Sequence, residues 1–252
     1  MSQPLVIQRV DRAIATITLD SRMNRNALSQ ALLNELEDHL TDTAANDAVR
    51  AVVLTHTGTT FCAGADLSEA RNGSMTAGAE RLLRLLRSIV VHPKPVIAHM
   101  NGHARAGGLG LLGACDIVIA GPRSTFAFSE ARLGLAPAVI SLTTLPRLTD
   151  RAAGRYYLTG ETFDAHEAVR IGLVTEATAD PDSALTTITD ALRRCSPQGL
   201  AESKQLTTHM LRDTIDTQGQ ATAAHSARLF NSDEAREGMQ AFMEKRRPRW
   251  ST

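Results

Sequence analysis

The chain opens with apolar and polar positions in short alternation and then shifts to a longer period. PLVIQRV (4–10) and AIATITLD (13–20) are short and β-branched and are divided by Asp11-Arg12, which predicts a two-stranded start. In LSQALLNELEDHLTDTAAN (28–46), Leu32, Leu33, Leu36 and Leu40 recur at helical spacing behind Ser29, a good N-cap. VRAVVLTHT (49–57) reads as a buried strand, and GTTFCAGADLSEA (58–70) as a glycine-bearing loop leading toward a helix. AERLLRLLRSIVV (79–91) is an amphipathic helix that Pro93 and Pro95 end. PVIAHMNG (95–102) is a strand, LGLLGAC (109–115) a short apolar helix, and DIVIA (116–120) and STFAFS (124–129) are further strands.

From about Val139 onward helical spacing takes over. AAGRYYLTG, DAHEAVRIG, DSALTTITDALRRC, AESKQLTTHMLRDT, GQATAAHSARLF and DEAREGMQAFMEKRR all suit helix. No sequence repeat or low-complexity stretch stands out. The pattern is an α/β core over residues 1–195 followed by a helical region over 196–252. A lone helical tail has little to bury itself against, so it should pack on the core or on another subunit.

Composition narrows the classes. The 252 residues are 43% hydrophobic and 21% charged, with formal net charge zero, which gives no footprint for nucleic acid or an anionic membrane. The basic EKRRPRW (244–250) is short, and reads as a solvated tail or a local anion contact. Three scattered cysteines make neither a disulfide framework nor a metal-ligand spacing. With no leader-like or membrane-length apolar run, the expectation is a cytoplasmic protein without metal or membrane partner.

Two glycine-bearing turns carry the candidate chemistry. FCAGADL (61–67) and GHARAGGLG (102–110) each follow a strand and lead toward a helix. At such junctions unpaired N–H groups point outward, the helix dipole adds positive potential, and small residues let another group approach. Two amides converging on one oxygen would make an oxyanion hole. Tight strand–helix packing without a ligand is the alternative for either turn alone. GGLGLLG (107–113) lacks GxGxxG spacing and has no acid at the distance a dinucleotide site needs.

Taken together, FCAGADL, KPVIAHMNGHARAGGLGLLGACDIVIA and STFAFSEARLGLAPA resemble the crotonase, or enoyl-CoA hydratase/isomerase, superfamily. NRNALS, YLTGETFDAHEAVRIGLV and SDEAREGMQAFMEKRRPRW extend the resemblance over nearly the whole chain. It implies a spiral of ββα turns with a C-terminal helical trimerisation region, assembled as a homotrimer or dimer of trimers. It also implies an acyl-CoA thioester as substrate, a place in fatty acid metabolism, and no cofactor, since CoA belongs to the substrate. Carried over, the thioester oxygen would be held by the amides of Ala65 and Gly107. Ala63, Asp66, Leu67, Asn24, Gly108, Gly110, Pro137, Phe242 and Lys245 would line the path of the acyl-CoA, although Lys245 could equally lie on a solvated face.

Typical hydratases of the superfamily use two glutamates. Glu130 matches the second, whereas Gly110 stands where the first is expected. Hydration needs one group to activate water and another to protonate the α-carbon, so Glu130 does both or is assisted. Of the neighbours, His103 suits local hydrogen bonding, Arg105 a carboxylate or CoA phosphate, Asp116 a structural role, and Asp66 a turn amide. The glycine also resembles methylglutaconyl-CoA hydratase-like proteins, which carry glycine at that position. APAVIS (136–141), with Pro137, Val139 and Ile140, would narrow the acyl wall and favour a short or branched group, or is simply a repacked loop. The leading expectation is an enoyl-CoA hydratase; the others are a Δ3–Δ2 enoyl-CoA isomerase, for which one carboxylate suffices, and a non-catalytic acyl-CoA-binding homologue.

Overall fold

The computed structural model describes residues 3–69 and 75–251. Strands β1 (Val6–Asp11) and β2 (Ile14–Leu19) form the antiparallel hairpin that the opening alternation predicts. Helix α1 (Gln30–Ala45) follows, with the Ser29 side chain accepting the Leu32 N–H and Leu32, Leu33, Leu36 and Leu40 buried. Then a unit recurs. β3 (Ala51–His56) and β4 (Thr60–Cys62) lead to α2 (Met75–Val91), and β5 (Val96–Met100) and β6 (His103–Arg105) lead to α3 (Gly107–Ala114). β7 (Ile117–Ala120) and β8 (Thr125–Ala127) lead through a 3-10 turn at Glu130–Leu133 to α4 (Ala138–Thr144).

Within each unit the first strand joins one sheet and the second joins another. β2, β3, β5 and β7 pair in parallel order, with β1 at one edge and β10 (Glu176–Ala177) at the other. β4, β6 and β8 pair in parallel in a four-stranded sheet, closed by antiparallel β9 (Phe163–Asp164). This is a spiral of ββα turns, repeated in space without a repeat in sequence. β3 and β5 are buried almost throughout, as strands of a covered parallel sheet must be. Phe61, Phe126 and Phe128 fill the core, and Leu185, Ile188 and Leu192 of α7 (Pro181–Arg193) cover the other face over Val53, Ile97 and Ile119.

Helices α5 (Asp150–Thr159) and α6 (Ala165–Arg170) flank the second sheet. The chain ends in α8 (Pro197–Phe230) and α9 (Asp233–Met243). α8 is one helix of 34 residues where the sequence suggests two. The reason is Gly219: a Cβ there would stand 3.0 Å from Leu83 Cδ1, so this glycine serves close approach to α2 and does not break the helix. α8 is anchored by Lys204, whose Nζ lies 2.8 Å from Asp116 Oδ2 and donates to the Ile89 and Lys94 carbonyls at 2.9 and 3.2 Å. Asp116 also accepts the Val96 N–H at 2.7 Å, a structural position. Glu237 of α9 accepts from Arg246 and from the Arg249 N–H, so the basic tail makes a local anion contact. No helix among the described residues is long and apolar enough to cross a membrane.

Candidate active site

β4 and β6 run parallel, Thr60 beside His103 and Cys62 beside Ala104 with a shift of register between them, so the turns at their carboxyl ends emerge side by side. They touch through residues without bulk. Gly64 has φ +92°, and a Cβ on it would lie 2.9 Å from Ala106 Cβ and 3.3 Å from the Arg105 oxygen. A Cβ on Gly107 would lie 2.8 Å from Leu28 Cδ1 and 3.9 Å from Gly64 Cα. Between them Ala106 adopts φ +47°, ψ −118°, a conformation that glycine favours and that costs a side-chain-bearing residue about 1–3 kcal/mol. The strain sits immediately before Gly107, the first residue of α3, whose amide has no carbonyl one turn back to meet it.

These turns open on a cavity of about 740 Å³. Ala65, Gly107 and Glu130 line it together, as do Ala63, Asp66, Leu67, Asn24, Pro137 and Phe242. Glu130 begins the 3-10 turn after β8 and is only 9% exposed. Its Oε2 has no hydrogen-bond partner among the described residues, and burial pushes the carboxyl up to about 7, its own backbone N–H offsetting part of that. Charge on Glu130 is felt at Tyr157, whose hydroxyl lies 2.5 Å from Thr144 Oγ1 and whose ring centroid is 4.6 Å from that of Phe128. A lone carboxyl held near neutrality, facing a chamber, has the form of a general acid–base.

The space beside Gly110 is filled by a side chain. A Cβ at that position would fall 2.5 Å from Ile140 Cγ2, 3.0 Å from Ile140 Cβ and 3.4 Å from Leu86 Cδ1. α4 is held there by Thr143, which donates to the Gly110 carbonyl at 3.0 Å. Gly110 is thus a seat for Ile140 and does not line the cavity. Gly108 likewise faces inward, its missing Cβ leaving room for Cys62. Lys245 lies past the end of α9 with φ +55° and is exposed, away from the lining.

Arg105 lines the same cavity and is held by main-chain and hydroxyl groups. Its Nη1 donates to the Ala104 and Thr125 carbonyls at 2.8 and 2.7 Å and its Nη2 to Thr125 Oγ1 at 2.8 Å, tying β6 to β8. His103 bonds the same hydroxyl at 2.8 Å, a local role. Asp66 accepts from the Ser68 amide and hydroxyl and from Asn24. Burial raises its carboxyl, and these bonds outweigh burial and hold it below its ordinary value. Sequence reasoning did not find Leu28, Leu82, Ser226, Phe230 and Met243, which also line the cavity. Ser226 and Phe230 arrive from α8 and Met243 from α9, by a tertiary approach that no local pattern announces.

The chain is similar in fold and sequence to known enoyl-CoA hydratases. Its fold superposes on an enoyl-CoA hydratase from Mycobacterium avium with a TM-score of 0.93, at 52% identity, covering 99% of this chain and 100% of that one. An enoyl-CoA hydratase from Shewanella pealeana superposes with a TM-score of 0.78 at 34% identity, over 98% and 96% of the two chains. The 2,3-dehydroadipyl-CoA hydratase of Escherichia coli is 31% identical over 253 residues, 97% of either chain. The sequence pattern of the enoyl-CoA hydratase/isomerase family matches residues 9–252. With two amide-bearing turns and a buried glutamate around one chamber, on a spiral of ββα units, this chain belongs to the enoyl-CoA hydratase/isomerase family, within the crotonase superfamily.

Proposed function

We propose that this protein hydrates 2,3-unsaturated acyl-CoA thioesters. The observation that carries the reading is the buried Glu130 carboxyl, its Oε2 without a partner among the described residues, in the same cavity as Ala65 and Gly107. The two amides hold the thioester oxygen. Ionised Glu130 takes a proton from water as the water oxygen bonds to C3. The C2=C3 electrons shift toward the carbonyl, and the charge rests on the oxygen under the two N–H groups. Each well-placed donor of this kind contributes roughly 3 kcal/mol to the transition state. The enolate then takes the proton from Glu130 at C2, so that water is added and the carboxylate is restored. Because Ile140 occupies the place of a second acid, one carboxyl makes both transfers, on one face of the substrate.

The Pro137–Ile140 wall favours a short or branched acyl group, as in the methylglutaconyl-CoA hydratase-like subgroup. Leu206 and Met210, one turn apart on α8 and about 80% exposed, suit burial between subunits of a homotrimer. A second reading, Δ3–Δ2 isomerisation, is favoured by the same single carboxyl, which could move a proton between C2 and C4 unaided. The test uses crotonyl-CoA and 3-methylglutaconyl-CoA in heavy-oxygen water. Hydration and movement of the double bond to C3=C4 both remove the conjugated-thioester absorbance, but only hydration places solvent oxygen in the product. An E130Q variant that kept the parent rate would overturn the assignment.

A further inference from the structure

The amide of Ala65 belongs to the Gly64–Ala65 peptide, whose carbonyl is already engaged: the Leu28 N–H donates to the Gly64 oxygen at 2.8 Å. In a trans peptide the C=O and the N–H point in opposite directions. Fixing the Gly64 oxygen on Leu28 therefore aims the Ala65 N–H the other way. The direction of one oxyanion donor is set by the segment 21–28, far away in sequence.

That segment is built to stay in place. Asn26 is 1% exposed and left-handed, at φ +54°, and its side chain accepts the Ser21 N–H at 2.7 Å and donates to the Thr60 carbonyl at 2.8 Å. The Ala63 N–H donates to the Arg25 carbonyl at 3.2 Å. On the far side of Ala65, Asn24 Nδ2 donates to Asp66 Oδ2 at 3.0 Å. Both side chains have further partners. Asn24 Oδ1 accepts from Ser21 Oγ at 2.7 Å, and Asp66 Oδ1 accepts from the Ser68 hydroxyl at 2.7 Å and amide at 3.0 Å. The Ala65 unit is thus clamped at both flanks, by a backbone bond before it and by a side-chain bond after it.

We propose that Asn24 and Asp66 are positioning residues for the oxyanion hole: their mutual bond ties the Ala65 turn to the segment 21–28 and so supports the Leu28–Gly64 bond that aims the Ala65 N–H. This rests on the reading of Ala65 as an oxyanion donor.

The test is a reciprocal exchange. N24D sets two carboxylates face to face. D66N sets two amides together, a milder disturbance that still reports if N24D folds poorly. N24D/D66N keeps one amide and one carboxylate with the donor on the other side. Steady-state hydration of crotonyl-CoA is measured, and isotope-edited infrared spectra of bound butyryl-CoA report the polarisation of the thioester carbonyl without turnover. Displacing a reacting geometry by about 1 Å costs up to ~100-fold, so N24D should lose about tenfold in kcat with little change in KM. It should also lose most of the carbonyl downshift, and the double variant should recover both. A KM effect at unchanged kcat, a carbonyl shift undiminished in N24D and D66N, or a double variant no better than N24D overturns the positioning role. A parent enzyme that turns over crotonyl-CoA but shows no carbonyl shift overturns the oxyanion reading itself, a result distinct from the other three.

Discussion

Placing any side chain at position 110 tests whether Ile140 occupies the seat of a second acid. In Gly110→Ala, the new Cβ meets Ile140 Cγ2 at 2.5 Å and Ile140 Cβ at 3.0 Å. Carbon atoms prefer about 3.5–4.0 Å, so the deficit is roughly 1 Å. Turning Ile140 to another rotamer removes the Cγ2 contact and leaves Cβ, which is fixed to α4. Overpacking of this kind costs about 1–3 kcal/mol. Against it stands the helical gain of alanine over glycine, about 1 kcal/mol. With two Ile140 carbons inside contact distance the overpacking cost falls in the upper part of its range, about 2–3 kcal/mol, so overpacking wins and G110A should be destabilised by roughly 1–2 kcal/mol, a Tm drop of about 2–8 °C for a chain of this size.

The reasoning is completed by I140A, which opens a cavity and costs about 2–5 kcal/mol by itself. In G110A/I140A the new methyl enters the vacated space, and the loss should fall short of the sum of the single losses by 1 kcal/mol or more. Denaturant unfolding of the four proteins measures this coupling. Strict additivity, or a G110A protein as stable as the parent, would refute the claim that Ile140 fills the seat. In the same frame G110E should be inactive or poorly folded, and I140A should let the glutamate in.

Four other outcomes follow from the geometry. E130Q should lower kcat by at least about 100-fold while the fold is retained, checked by the crotonyl-CoA assay and circular dichroism. Burial raises the Glu130 carboxyl from 4.5 to about 7, so its favourable share of stability is complete below pH 4.5 and is lost as pH rises through 7. The parent should lose up to about 3 kcal/mol over that window relative to E130Q, and its kcat/KM should climb along an acid limb near pH 7. K204M leaves Asp116 buried without its cation and should cost about 3–5 kcal/mol, read by thermal unfolding. A106G relieves the left-handed strain before Gly107 and should leave stability unchanged or raise it by up to about 1 kcal/mol, while kcat falls as the turn loosens.

Local chemistry was legible in the sequence and long-range approach was not. Ser29 declared its cap, Leu32 to Leu40 their buried face, and the two turns their shared character, because each signal lies within a few residues of its effect. The glycine at 110 could be seen as a missing acid, but its occupant Ile140 lies 30 positions on and on another helix. The unbroken run of α8 through Gly219 was not legible, because nothing nearby in the chain shows that Leu83 leans on that glycine. Ser226 and Phe230 reach the chamber only because Lys204 and Gly219 lay α8 along α2. The bonds of Arg105 were hidden for a related reason: its partner, the Thr125 carbonyl, belongs to a neighbouring strand.

In the proposed mechanism the electrophilic half of this chamber is written in main chain, at Ala65 and Gly107. Inherited changes of side chain leave those N–H groups in place, and among the coded residues only proline deletes one. Divergence is therefore free to act on the remaining half, the identity and placement of a single proton carrier and the apolar knob opposite it. A lineage with this scaffold can exchange one reaction for another by a handful of codons, without passing through an ancestor that cannot polarise a thioester.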